Sequence, residues 1–304
     1  PVSRVCVVFG WIGGPVVGVL RSPQIWEKLG ELMATMHAFA ETWAPSAAFH
    51  VTDYDSCIPY GEALVVFEPG RTELYGLEPV LREATDVTNQ RIGELRRRGQ
   101  SMVIHGDLHQ WNVKIKHGIL SPFDFEDLLT AAPILDIATS LYYVHGDDDY
   151  LDLARGFKAG YERIRAWPER EPGEMERLMF ARSLDLLNAV LLDTSLDIGD
   201  MERFVRKRGT MARIALGQED LRQLHIRRGP GAHRPGGPAV GVDRVRYVSE
   251  CAIQGSGDDI RLGIVGVELQ RVARVFETGL VPASSVFQVR HAEPRFSVPR
   301  LIGE

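Results

Sequence analysis

His105-Gly106-Asp107-Leu108-His109-Gln110-Trp111-Asn112, followed at Asp124 by Asp124-Phe125-Glu126-Asp127, is the stretch that decides how this chain is read. Asp107 is a carboxylate that can take a hydroxyl proton, and it stands five residues before Asn112, a neutral oxygen donor. A second carboxylate, Asp124, arrives twelve residues after Asn112. This set suits phosphoryl transfer, which needs an oriented hydroxyl and neutralised phosphate charge more than covalent help.

The flanking sequence places these groups. Met102-Val103-Ile104 reads as a short apolar strand running into the motif. Asn112-Val113-Lys114-Ile115 and Ile119-Leu120 bracket a turn at Lys116-His117-Gly118, so a strand, a catalytic loop and a hairpin ending at Asp124 are expected. Asp107 at the end of a buried strand would orient the attacking hydroxyl. Asn112 and Asp124 match the few protein oxygens that Mg2+ takes when nucleotide phosphates fill its remaining positions. Glu126 or Asp127 would add a contact through water. His105 and His109 carry two readings, since His-x-Asp-x-His is also a metal-cluster spacing. The other reading has His105 fixing the loop by packing and hydrogen bonding, with His109 orienting the loop or approaching the phosphate. Asp136, early in the next helix, is expected to bond to the catalytic-loop backbone or to cap that helix.

Outside the motif the chain alternates short strands and helices. Val5 to Phe9 reads as a buried strand ended by the Gly-rich run Gly10 to Gly18. A helix from about Gln24 to Trp43 is expected, capped by Ser22. Residues 44–76 read as loop, and a second helix spans Glu78 to Arg98. After the motif, helices are expected from Pro133 through Val144, at Tyr150 to Trp167, at Glu174 to Leu192 and at Met201 to Leu224. The nearly continuous apolar pattern from Arg182 to Leu192 makes the third of these central. His145-Gly146-Asp147-Asp148-Asp149 is read as an exposed inter-helix loop, although its acidity would also suit a cation. Arg227 to Pro238, rich in Arg, Gly and Pro, reads as a helix-breaking linker. The region after it has short β-like runs, one candidate helix near Ile260 to Phe276, and no recognisable chemistry.

Bulk properties narrow the function further. The chain has 304 residues, 44% of them hydrophobic and 25% charged, with a formal net charge of −6. It is long enough to bury a large core without staples, and the acidic balance argues against a nucleic-acid surface. Cys6, Cys57 and Cys251 are odd in number and widely spaced, which fits neither a disulfide framework nor a zinc knuckle. A reducing, cytoplasmic setting follows from that usage. Val5 to Leu20 is broken by glycines and falls short of the roughly 20 residues of a membrane helix, so no membrane span is expected. It also lacks the pattern of a signal peptide.

The motif from His105 to Asp127 resembles that of the aminoglycoside phosphotransferase and choline kinase superfamily, the small-molecule branch of the protein-kinase-like fold. Gly30-Glu31-Leu32-Met33-Ala34-Thr35-Met36-His37 resembles that family's helix after the hinge, and Leu135-Asp136-Ile137-Ala138 its helix behind the active site. The resemblance covers roughly Val5 to Leu216. It implies an α+β fold: a mainly helical C-terminal lobe with a short catalytic-loop hairpin, at residues 21–225. Residues 1–20 would then be the last strand and hinge of a truncated N-terminal lobe, 226–242 a linker and 243–304 an unassigned tail. It implies Asp107 as catalytic base, Asn112 and Asp124 as Mg2+ ligands, and ATP as donor to a hydroxyl of an aminoglycoside-, homoserine- or choline-like acceptor.

Two features depart from the family. Trp111 replaces the small residue common before the Asn, and it is read as shaping the acceptor pocket. Family members also carry a strand Lys that pairs with nucleotide phosphates. Here the only Lys before the motif is Lys28, in a helix. A non-catalytic remnant that binds a metabolite or partner is therefore a second reading, and a metallophosphoesterase a third. The third needs further His-bearing motifs, and His145, His225, His233 and His291 do not form them.

Overall fold

Ser22 and Pro23 open the first helix as a cap and a preset first turn should. The Ser22 hydroxyl accepts from the Ile25 N–H at 3.3 Å, and α1 runs Pro23–Thr42. In the computed structural model, residues 11–47, 49–193 and 198–219 are described, with the backbone of two further strands at 250–254 and 261–265. The expected strand Val5 to Phe9 and the linker 226–242 lie outside the described residues.

α1 packs lengthwise on α4 (Tyr150–Glu162), and glycine sets how close they come. A Cβ on Gly160 would sit 1.7 Å from the Glu27 carbonyl oxygen, and one on Gly30 1.9 Å from that of Phe157. Backbone therefore touches backbone, and Trp26 and Phe157 are wholly buried beside the contact. Each large apolar side chain so buried contributes about 1.5–3 kcal/mol. α4 stops at Glu162, short of the expected Trp167, because the chain turns back and packs the Trp167 ring edge-on against Tyr161 and Phe157.

The central helix is α5 (Glu174–Leu192), as its apolar run predicts. It lies against α2 (Glu78–Arg97), α3 (Pro133–Tyr142) and α6 (Met201–Ala215). Its first residue, Glu174, is fully buried and accepts from the Arg91 guanidinium of α2. α6 ends earlier than Leu224, where Gly217 takes φ +69 and the chain leaves the helix.

The strands are few and short. β2 (Met102–Ile104) and β5 (Leu129–Ala131) pair antiparallel, and β1 (Thr52–Asp53) joins β5 in parallel. β1 lies inside the stretch expected to be loop. Two residues are too few to show an alternating pattern, and the pairing comes entirely from β5. A separate hairpin joins β3 (Val113–Lys116) to β4 (Ile119–Pro122) through His117 and Gly118, both at positive φ. In the tail, β6 (Glu250–Gln254) and β7 (Arg261–Val265) pair antiparallel. β7 replaces the first part of the helix expected near Ile260. Ile264 and Val265, both β-branched, favour strand over helix there. Among the described residues, no helix is long and apolar enough to cross a membrane.

Candidate active site

Strand register brings the site together. Ile104 pairs with Leu129, so the loop leaving β2 and the loop entering β5 emerge at the same end of the sheet. Val113 pairs with Pro122, so the start of β3 and the end of β4 also meet. The loops 105–112 and 123–128 are thereby pressed together, and the Phe123 N–H donates to the Asn112 carbonyl at 3.0 Å. Gly106 makes the approach possible. It adopts φ +79, and a Cβ there would lie 2.0 Å from the Asp127 carbonyl oxygen.

Helix α3 grips the catalytic loop along one face. Asp136, Ser140 and Tyr143, spaced by four and three residues, share that face. The Asp136 carboxylate accepts from the backbone N–H groups of His105 at 3.1 Å and Gly106 at 3.0 Å. The Ser140 hydroxyl donates to the Leu108 carbonyl, and the Tyr143 hydroxyl approaches Asp107 Oδ1. Asp136 is buried, and His37 of α1 completes its set of partners with Nε2 at 3.1 Å. Of the two expectations for Asp136, the bond to the loop backbone is the one found.

Asp107 is held from both sides. Arg182 of α5 donates through Nη2 to Oδ1 at 2.6 Å, while Asn112 Nδ2 donates to Oδ2 at 3.2 Å, and His109 Nε2 stands 3.4 Å from Oδ2. Burial alone would raise the Asp107 carboxyl, but the Arg182 guanidinium and His109 outweigh it and hold it down to about 2. Arg182 also donates to Asp185 at 2.7 Å and to the Tyr143 hydroxyl at 2.7 Å, forming a buried Asp107–Arg182–Asp185 chain.

Both histidines have their ring nitrogens engaged by the loop. His105 Nε2 meets the Phe123 carbonyl at 3.1 Å, and its Nδ1 accepts from the Asp107 N–H at 3.4 Å. His109 Nδ1 accepts from the Trp111 N–H at 3.1 Å, opposite its contact with Asp107. Among the described residues, no group of three or more His, Cys, Asp or Glu side chains is placed to hold a metal ion. The histidines therefore brace the loop in this structure, and the metal-cluster reading of their spacing finds no geometry.

Asn112 and Asp124 offer oxygen as donors. Asn112 spends its amide nitrogen on Asp107, which turns its side-chain oxygen the other way. Asp124 is exposed and sits in the left-handed region at φ 66, a conformation that Asp tolerates better than most residues. Burial, then Glu126, Asp107 and Asp127, push its carboxyl above the ordinary value. A divalent cation would relieve that crowding of negative charge. Two hard oxygen donors are of the kind that suits magnesium.

The profile of the phosphotransferase enzyme family matches residues 3–172, more than half of the 304-residue chain. The chain belongs to the phosphotransferase enzyme family. Its fold is similar to that of "Amicoumacin kinase hAmiN in complex with AMP-PNP, Ca2+ and Ami", at 18% identity and a TM-score of 0.54, over 71% of this chain and 66% of that one. A microcompartment-associated aminopropanol kinase matches at 17% identity and 0.47, over 64% and 60% of the two chains. Choline kinase LicA from Streptococcus pneumoniae matches at 11% identity and 0.41, over 65% and 66%. The chain thus spans slightly under two thirds of the first of these proteins and 60% of the second. No curated protein sequence matches it.

Within this phosphotransferase-family chain, the structure adds three partnerships that the sequence does not show. Trp111 packs on the chain before α1: a Cβ on Gly18 would lie 2.9 Å from its ring. It therefore braces the 3-10 turn at Val17–Val19. The acidic loop at 145–149 is occupied by Arg21, which pairs with Asp147 at 2.6 Å and Asp149 at 2.6 Å. Arg182 is the partner of Asp107 that the motif does not disclose. Its one sequence signal is a cation inside an apolar helix with Asp185 three residues on, a spacing that buries safely only if further acid is nearby.

Proposed function

We propose that this chain is part of an ATP-dependent phosphotransferase that moves the γ-phosphate to a hydroxyl of a small molecule. The observation that carries the reading is Asp107: one ionised carboxylate aimed by Arg182, Asn112 and His109, with the loop around it braced by Asp136. Asp107 accepts the hydrogen bond of the acceptor hydroxyl and fixes its line of attack. Its low affinity for protons makes it a weak base, so it takes the proton late, which suits a loose transition state. Asn112 and Asp124 would hold Mg2+ through oxygen. Bound there, magnesium would offset the negative charge on the phosphate oxygens of ATP, the donor of the transferred phosphoryl group. His105 keeps the two loops in register, and Glu126 stands at the exposed rim for a contact through water.

A pocket of about 170 Å³ lined by Glu62, Asp185, Asn188, Ala189 and Leu192 adjoins this chain of charges. Asp185 is separated from Asp107 only by the Arg182 guanidinium, so an acceptor in the pocket lies close to the base. Glu62 and Asp185, the latter already paired with Arg182, give its wall an acidic character that favours an amine-bearing alcohol. In this reading residues 21–225 are the acceptor- and metal-binding lobe, 226–242 a linker and 243–304 a separate region. Use of ATP together with the free, buried Cys57 fits the cytoplasm.

The test is calorimetric titration with a non-hydrolysable ATP analogue and Mg2+, followed by a screen of amino alcohols with ATP. Asp107→Asn should keep nucleotide binding and lose transfer. Asp124→Ala should lose the magnesium-dependent part of binding. Full transfer activity in Asp107→Asn sinks the assignment.

A further inference from the structure

Among the described residues the fold buries three arginines: Arg91 at 7%, Arg182 at 7% and Arg208 at 5% exposure. Two of them are answered by acid. Arg91 holds Glu94 and Glu174, and Arg182 holds Asp107 and Asp185. Arg208, on α6, pairs with no carboxylate among the described residues. Its Nη1 donates to the Phe204 carbonyl one turn back at 3.1 Å, its guanidinium lies over the Phe204 ring at 3.3 Å, and its Nε has no hydrogen-bond partner. The Tyr142 hydroxyl hydrogen-bonds to the guanidinium and the Tyr143 hydroxyl also bears on it, and neither is a carboxylate. Burial pulls its proton affinity below the ordinary value, the mark of a cation that its surroundings do not compensate.

A guanidinium carries five N–H donors in a planar fork and is costly to bury without an anion. Tyr143 contacts both Arg182 and Asp107, so the unanswered guanidinium stands behind the wall of the candidate acceptor site. We propose that Arg208 is the receptor of a small oxyanion, the carboxylate or phosphate group of a ligand that docks beside Tyr142 and Tyr143. Assigning that anion to the phosphoryl acceptor rests on the proposed function; the anion site itself does not. With the acidic pocket at Glu62 and Asp185, the two sites together would select an acceptor that carries an anionic group as well as an amine.

The experiment is thermal unfolding of the full chain in increasing sodium phosphate or sodium acetate, with chloride holding ionic strength constant. Arg208→Met and Arg208→Lys are run beside the wild type. The expected result is a saturable rise in wild-type Tm of about 3 °C with at least one anion. Arg208→Met should lose that rise while matching or exceeding the wild-type Tm in chloride, and Arg208→Lys should keep a reduced rise. A response to acetate assigns a carboxylate, and a response to phosphate alone assigns a phosphate group. The proposal is overturned if Arg208→Met responds as the wild type does. It is also overturned if wild type responds to neither anion, or if Arg208→Met is less stable in chloride. Should that variant not fold, calorimetric titration of wild type with phosphate and with acetate decides, absence of saturable heat from both overturning the site. No nucleotide or turnover enters the measurement, so its failure leaves the phosphotransferase reading standing, and the reverse.

Discussion

Replacing Arg182 by methionine removes the charge while keeping most of the side-chain volume, and the structure gives the size of the loss. The Asp107 side chain is 13% exposed and that of Asp185 6%, and each gives one oxygen to the guanidinium. Breaking a buried pair by deleting one partner costs about 3–5 kcal/mol, because the remaining charge is left in a medium that solvates it poorly. Two carboxylates are left here, so the upper end of that range is expected. The loss depends on pH. The Asp107 carboxyl lies at about 2 against an ordinary 3.8, worth about 2.5 kcal/mol at roughly 1.4 kcal/mol per unit. Because the folded-state value is depressed, that contribution is present above about pH 3.8 and is lost as pH falls through about 2. Urea unfolding followed by tryptophan fluorescence should therefore show a large deficit for Arg182→Met at about pH 7 that narrows at about pH 2.5. Adding Asp185→Asn should recover on the order of 1–3 kcal/mol, since it removes one of the stranded charges. Wild-type stability at neutral pH, or a deficit that does not narrow in acid, would refute the account of Arg182 as the counter-charge of Asp107.

Asp136→Asn replaces a carboxylate that accepts from two backbone N–H groups and His37. One of those donors then faces an amide N–H, and a loss of about 2–4 kcal/mol is expected in denaturant titration, with transfer activity falling further than nucleotide binding. Asp124→Asn removes a carboxyl whose proton affinity is raised by burial and by Glu126, Asp107 and Asp127. The metal-free protein should become slightly more heat-stable, and magnesium should no longer stabilise it with nucleotide; a magnesium-dependent rise in Tm that survives would remove Asp124 from the metal site. Burial raises Tyr161 from 10.0 to about 12. Stability is full below about pH 10 and is lost by about 2.7 kcal/mol as pH rises through about 12, a loss that Tyr161→Phe should not show when urea midpoints at about pH 8 and about pH 12 are compared.

What the sequence discloses is what lies close along the chain. Asp107, Asn112 and Asp124 fall within eighteen positions, and the strands around them are short but bounded by turn residues, so the order of residues alone implies that they meet. α1 and α5 are legible for a related reason. A cap at Ser22 and a long apolar run each act locally, and packing agrees with them. β1 and β5 are not legible, since two or three residues show no period and exist as strands only through partners far off in the chain. Arg182 is hidden in the same way. It meets Asp107 across 75 positions, and nothing near either residue announces the other. Asp147 and Asp149 show the same limit: their acidity and their place in an inter-helix loop are visible, while Arg21, more than a hundred positions earlier, is the partner that stays hidden.

The distribution of charge follows from these pairings and bears directly on the chemistry. At Asp107 the protein supplies its own cation, so the carboxylate stays ionised and keeps one orientation without help from a ligand. At Asp124 it supplies none of comparable strength: Glu126 and Asp127 stand beside it, and its carboxyl is driven up where that of Asp107 is driven down. Two aspartates of one site are thus pushed in opposite directions by their surroundings, and such splitting is how a fold assigns different tasks to like groups. The compensated one suits an orienting base that must not move or trap a proton. The uncompensated one suits a metal ligand, because a divalent cation would supply the counter-charge it lacks. Metal and nucleotide should then order the 123–128 loop while leaving the Asp107 side unchanged. Amide exchange measured with and without magnesium nucleotide should slow at residues 123–128 and stay constant at 105–108. Equal slowing at both loops would mean that Asp107 also awaits its counter-charge, and that the Arg182 pair does not hold it in solution.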